Sequence, residues 1–116
     1  MFFYQIKIVL KQYKTDEFIK SMRSFSRKIR KENDCLSHSV CRDSENENTF
    51  SVLGKWGTHQ AMEKHFNTQN FEVLIGAAKV LGETFEMNVG EVLESGGFKM
   101  ARKQMELQQK DSAAAD

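Results

Sequence analysis

Three residues of this chain have side chains suited to moving a proton or holding a flat ring: His38, Trp56 and His65. An imidazole has the right intrinsic pKa to take a phenolic or enolic proton near neutrality. An indole offers a broad apolar face and one N–H donor. The stretch FSVLGKWGTHQAMEKHFNTQNF, Phe50 to Phe71, brings two of the three together. A β-type run ends in Trp56, a short helix signal carries His59 and His65, and Thr68 opens a second helical run at Phe71. His38 shares a strand face with Leu36 and Val40 and so points into an apolar layer. Each of the three also has a plain structural role open to it: Trp56 as a core or interface residue, His65 as a cap, His38 as a satisfied core histidine.

Other chemistry is thin. His59 and Glu63 stand four apart and could share a helix face as metal ligands, but no third ligand accompanies them, so no metal is expected. Arg23, Arg27, Lys28, Arg30 and Lys31 read as the solvated face of a helix. No Gly-rich phosphate loop, GxSxG elbow or paired-carboxylate motif is present. Cys35 and Cys41 lie on one face of a regular strand, too far apart for a disulfide, which suits a reducing, cytoplasmic setting.

The elements that must carry these residues follow from periodicity. Tyr4, Ile6, Ile8 and Leu10 alternate as a strand. Thr15 is the expected N-cap of a helix from Asp16 to about Glu32, with Phe18, Met22, Phe25 and Ile29 as its apolar stripe. Cys35 to Arg42 and Phe50 to Trp56 form a hairpin around the polar turn DSENEN. Thr58 caps a short helix to about Phe66. Thr68 caps the next, whose Leu74, Ile75 and Ala78 stripe is joined by Val73, Ala77 and Val80, so this helix should be deeply packed. Thr84 to Leu93 is the last strand, with Phe85, Met87 and Val89 on one face.

The order βαββαβ predicts an α+β, ferredoxin-like antiparallel sheet with helices on one face, over residues 1–95. Residues 96–116 form an extension that is helical as far as Lys110, with the end, DSAAAD, disordered. Several strands are apolar on both faces: Phe3 and Val9 oppose Tyr4 and Ile8, and Leu53 opposes Val52. A second copy of the chain, meeting it sheet to sheet, is the expected cover. A net charge of +1 gives no field for nucleic acid, no run is long and apolar enough for a membrane span, and the N-terminus does not read as a signal peptide.

From Phe2 to Leu93 the layout resembles the antibiotic biosynthesis monooxygenase family. Its early strand and first helix are similar to YQIKIVL and DEFIKSMRSFSRKI, its next two strands to CLSHSVCRD and TFSVLGKW. The family pattern of a Trp, a short helix ending in His, a polar residue and a Phe resembles Trp56, Met62, His65, Thr68 and Phe71. The resemblance implies a dimeric α+β barrel and a monooxygenase that needs no cofactor. It implies a homodimer that takes a small aromatic, phenolic or quinol-type molecule and O2. His65, His38 and Trp56 would then be catalytic, and Trp56, Phe71, Phe85 and Met87 would line the substrate site. The haem-degrading branch uses an asparagine in the first strand; this first strand has none, which disfavours haem degradation. A ligand-binding or stress-related module without catalysis, on the same fold, is the alternative.

Overall fold

The computed structural model describes the backbone of residues 1–115 and the side chains of residues 1–107. The elements run β1 (Phe2–Leu10), α1 (Thr15–Ile29), β2 (Cys35–Arg42), β3 (Thr49–Trp56), α2 (His59–Phe66), α3 (Gln69–Leu81), β4 (Gly82–Glu91) and α4 (Phe98–Ala115). The four strands make one antiparallel sheet in the order β2-β3-β1-β4, the ferredoxin-like arrangement expected from the element order.

Alternation decides which face is covered. Tyr4, Ile6, Ile8 and Leu10 of β1 join Phe50, Val52 and Trp56 of β3 beneath the helices, all of them buried. Phe18, Met22 and Ile29 of α1, Met62 of α2, and Leu74, Ala78 and Leu81 of α3 close that layer from above. Burying one such side chain contributes on the order of 1.5–3 kcal/mol, so this layer carries most of the hydrophobic stabilisation. None of α1, α2 and α3 lies over the opposite face of the sheet. There Phe3, Val9 and Leu53 are half-buried, next to Lys7, Lys55, Ser37 and Ser39.

Several local expectations are corrected. Thr15 is the first residue of α1 and does not cap it; its hydroxyl donates to Asn48 Oδ1. The buried stripe of α1 runs through Ser26, while Phe25 is only half-buried. β2 is not a regular strand: its register slips between Cys35 and Ser37. Leu36 is the extra residue and is 54% exposed, so it does not share the inner face with His38 and Val40. The same bulge sets Cys35 opposite Trp56 and Cys41 opposite Ser51, hence on different faces of the sheet; both are free thiols. α3 is not deeply packed all round, because Val73 and Val80 turn outward, 42% and 67% exposed. The backbone of α4 runs Phe98–Ala115. Asp116 lies outside the described residues.

The caps at Thr58 and Thr68 form as expected: their hydroxyls accept from the Ala61 and Phe71 N–H groups. The α1–β2 turn carries Asp34 in the left-handed region, at φ 62°, and the Gly57 N–H donates to the Asp34 carbonyl. This ties the end of β3 to the turn that leads into β2.

Candidate active site

The site is built around a glycine. Gly54 of β3 lies opposite Tyr4 of β1 on one side and opposite His38 of β2 on the other. Side chains two strands apart are normally held off by the one between them. Here the middle residue has no side chain, the Tyr4 ring lies over the Gly54 backbone, and its hydroxyl reaches His38 Nε2 at 2.8 Å.

α2 brings in the second histidine. His65 lies in the last turn of α2, and its Nε2 is 3.1 Å from the same Tyr4 hydroxyl. Its ring stacks on Trp56, with centroids 4.4 Å apart, and parallel to Tyr4 at 5.5 Å; Phe71 meets it edge-on at 5.1 Å. Thr68 locks this geometry: it caps α3 through the Phe71 N–H and donates its own hydroxyl to the His65 carbonyl at 2.7 Å. The Thr and Phe that follow the His thus hold one imidazole in place.

Two further residues extend the cluster. α1 ends at Ile29, and the turn beyond it carries Glu32 back so that Oε1 lies 2.9 Å from His65 Nδ1; Asn70 at the start of α3 donates to Oε2 at 3.3 Å. At the other end, Ser26 Oγ is 2.7 Å from His38 Nδ1.

Counting donors fixes the direction of the whole chain. Ionised Glu32 can only accept, so His65 carries its proton on Nδ1 and its Nε2 accepts from the Tyr4 O–H. The Tyr4 oxygen then accepts from His38 Nε2–H, and His38 Nδ1 accepts from the Ser26 O–H. Every link is satisfied with both histidines neutral.

Electrostatics support that state. Burial first, and then electrostatic coupling to the titratable His65 and to the Arg30 guanidinium, push His38 down to about 4. Burial lowers His65 as well, with the Glu32 hydrogen bond acting against it. The His65–Glu32 contact is therefore a neutral imidazole donating to a carboxylate at pH 7, rather than an ion pair. Burial, with Cys35 and Glu32 nearby, raises Tyr4 far above the usual phenol range. Moving one proton along each link would carry a proton from Ser26 to Glu32 and leave His38, Tyr4 and His65 neutral, provided that a donor outside the chain gives its proton to Ser26.

The cluster is closed to solvent. Tyr4, Trp56, His65 and His38 are each no more than 3% exposed, and Phe66 and Phe71 fill the space beside Tyr4. Its outlets are its ends. Glu32 is partly exposed, and Ser26 lines a cavity of about 240 Å³ between α1 and β2. Trp56 Nε1 is buried without an acceptor among the described residues.

Of the residues expected from sequence, His38, Trp56, His65 and Phe71 meet in this cluster. Phe85 and Met87 do not line it: in register they stand opposite Ile8 and Ile6 on the edge strand β4, and Phe85 is 47% exposed. Four residues along a strand put Phe85 roughly 14 Å from the Tyr4 row. His59 and Glu63 form an exposed pair, 3.5 Å apart, and no group of three metal-binding side chains occurs among the described residues. Sequence reasoning missed Tyr4, Glu32, Ser26 and Gly54. The available signals were a serine inside an apolar helix stripe and a tyrosine inside an apolar strand face, each a hydroxyl that needs a buried partner.

A four-stranded antiparallel sheet with helices on one face, enclosing a histidine-centred hydrogen-bond chain, defines a small ferredoxin-like α+β protein with a built polar interior. Residues 1–77 match the family model described as antibiotic biosynthesis monooxygenase, and the chain belongs to that family. An uncharacterized protein of Synechocystis is 28% identical over 89 residues, 76% of this chain; the chain spans 60% of the length of that relative. Solved structures share the fold. A crystal structure of an antibiotic biosynthesis monooxygenase superposes with a TM-score of 0.73 at 18% identity, covering 81% of this chain and all of the other. A conserved protein from Methanosarcina mazei gives 0.73 at 20% identity, over 78% of this chain and 90% of its own. A variant of SnoaB, a cofactor-independent oxygenase from Streptomyces nogalater, gives 0.72 at 14% identity, over 81% and 94%. At these identities the structural likeness speaks for the fold alone. No helix among the described residues is long and apolar enough to cross a membrane.

Proposed function

We propose that this protein is a cofactor-independent monooxygenase of a small phenolic, anthrone or quinol-type molecule, with the Ser26–His38–Tyr4–His65–Glu32 chain as its proton acceptor. The observation that carries the reading is the Tyr4 hydroxyl shared by two neutral, buried histidines. Oxygenation without a cofactor needs the substrate as an electron-rich anion before it can pass an electron to O2. For a methylene substrate, CH2 and O2 become C=O and water, and the substrate itself supplies all four electrons. The protein's part is to take the first proton without stranding a charge in a dry interior, which a neutral relay ending on a carboxylate does.

In this reading the substrate oxygen meets the relay at Ser26, the end that lines a cavity. His38 and His65 pass the proton. Trp56 and Phe71 are positioning residues that hold the His65 ring by stacking and edge contact. The test is oxygen uptake with a panel of anthrones and hydroquinones, comparing wild type with His38→Ala and His65→Ala. Uptake that neither substitution slows removes the relay from the chemistry.

The filling of the space around His65 by Phe66 and Phe71 favours a second reading, a ligand-binding module without catalysis. Binding of the same panel with no oxygen uptake selects it. A homodimer is part of either proposal. It is supported by Phe3, Val9 and Leu53 on the sheet face that none of α1, α2 and α3 covers, and by Phe98, Met105 and Leu107 exposed on α4. Sedimentation at micromolar concentration separates a dimer from a folded monomer.

A further inference from the structure

The cavity between α1 and β2 has a composition of its own. Arg23 and Arg30 of α1 and its C-cap, together with Arg42 of β2, line it, and no carboxylate residue does so among the described residues. Ile19, Val40 and the buried face of Phe50 supply apolar walls, and Ser26 supplies a hydroxyl. Two of the arginines are tethered by Nε: Arg30 donates to the His38 carbonyl and Arg42 to the Glu47 carbonyl, each at 3.0 Å. Those bonds leave the terminal Nη amines of both as donors. The Arg42 guanidinium also stands 5.5 Å from the centre of the Phe50 ring.

Like charges gathered about one small concavity repel, and tethering them forgoes the usual relief of swinging apart. An anion placed between them reverses the sign of that interaction, and a guanidinium fork matches a carboxylate geometrically. The apolar walls ask for a ring on the same molecule. We propose that this cavity binds an aromatic acid that carries a hydroxyl: the acidic oxygens pair with Arg23 and Arg42, and the hydroxyl donates to Ser26 Oγ at the mouth of the relay. The aromatic hydroxyl rests on the oxygenase reading above; the acid rests on the arginines alone. The step it prepares is balanced: the ligand hydroxyl gives its proton to Ser26, each relay member passes one proton on, and Glu32 ends protonated while the ligand becomes a phenolate.

The test is calorimetric titration of the full chain at pH 7 with 6-hydroxy-2-naphthoate, 2-naphthoate and 2-naphthol. The expected order of affinity is hydroxynaphthoate, then naphthoate, then naphthol, with about tenfold or more between first and last, and with binding weakened by salt. Arg23→Gln and Arg42→Gln, both at exposed positions, each cost roughly tenfold with the acids and little with naphthol. Ser26→Ala brings hydroxynaphthoate down to the affinity of naphthoate. His59→Gln, remote from the cavity, changes nothing. Equal affinity for acid and naphthol, or arginine variants that bind the acids as wild type does, overturns the assignment. Arginine-dependent binding with no oxygen uptake upholds the cavity and removes the oxygenase; oxygen uptake indifferent to both arginines does the reverse.

Discussion

Gly54 and Tyr4 stand opposite each other in the sheet, and a Cβ on Gly54 would come within 2.8 Å of Tyr4 Cε1 and 3.2 Å of His38 Cδ2. The absence of one methyl group is what lets a tyrosine on one strand hydrogen-bond a histidine two strands away. Gly54→Ala is therefore expected to push the Tyr4 ring off the sheet. Overpacking of this kind costs about 1–3 kcal/mol, which lowers Tm by roughly 4 °C or more. Thermal unfolding measures it, and a variant as stable as wild type would show that the ring has room to spare.

The directional chain sets both tautomers at pH 7: His65 protonated on Nδ1 and His38 on Nε2. Long-range proton–nitrogen correlation on labelled protein reads both directly. The opposite tautomer at either ring, or an imidazolium at either, breaks the relay as drawn.

Acid should destabilise the fold well above the carboxylate range. His38 titrates near 4 in the folded protein and near 6.5 when unfolded, so the unfolded chain binds the extra proton between those values. The stability from keeping His38 neutral is complete above 6.5 and is lost as pH falls toward 4. Between pH 7 and pH 5 the loss is about 2 kcal/mol, and His65, also lowered, adds to it. Urea unfolding at the two pH values gives the difference; equal stability contradicts the buried neutral pair.

Much of the fold was legible because apolar residues fall on one face of β1 and β3 at every second position, even where the other face also carries some, and recur at helical spacing in α1. The same alternation placed His38, Trp56 and Phe50 on the inner face. It failed at Leu36, where a bulge breaks the period, and at Val73 and Val80, where helical spacing did not say which face meets the sheet. The site was half legible. Tyr4 read as one more apolar position on its strand, although its hydroxyl joins both histidines. Glu32 marked only the approximate end of the first helix, because its contact with His65 spans 33 positions that no local pattern encodes.

Trp56 carries a buried indole N–H without an acceptor among the described residues, which costs about 1–3 kcal/mol. Trp56→Phe removes that donor and keeps an aromatic face against His65. Its stability is expected within about 1 kcal/mol of wild type, the lost packing offset by the removed donor. Oxygen uptake should survive, since Trp56 serves as a stacking partner. A fold intact with uptake abolished would instead give the N–H a direct part in the reaction.

Oxygen uptake by wild type and Tyr4→Phe, on whichever anthrone or hydroquinone wild type consumes, tests the central claim most directly. Phenylalanine keeps the ring over Gly54 and deletes only the oxygen that joins His38 to His65. The expected result is a folded variant, by circular dichroism, whose kcat falls by about 100-fold or more with KM little changed. A Tyr4→Phe variant that consumes oxygen as fast as wild type would contradict the relay.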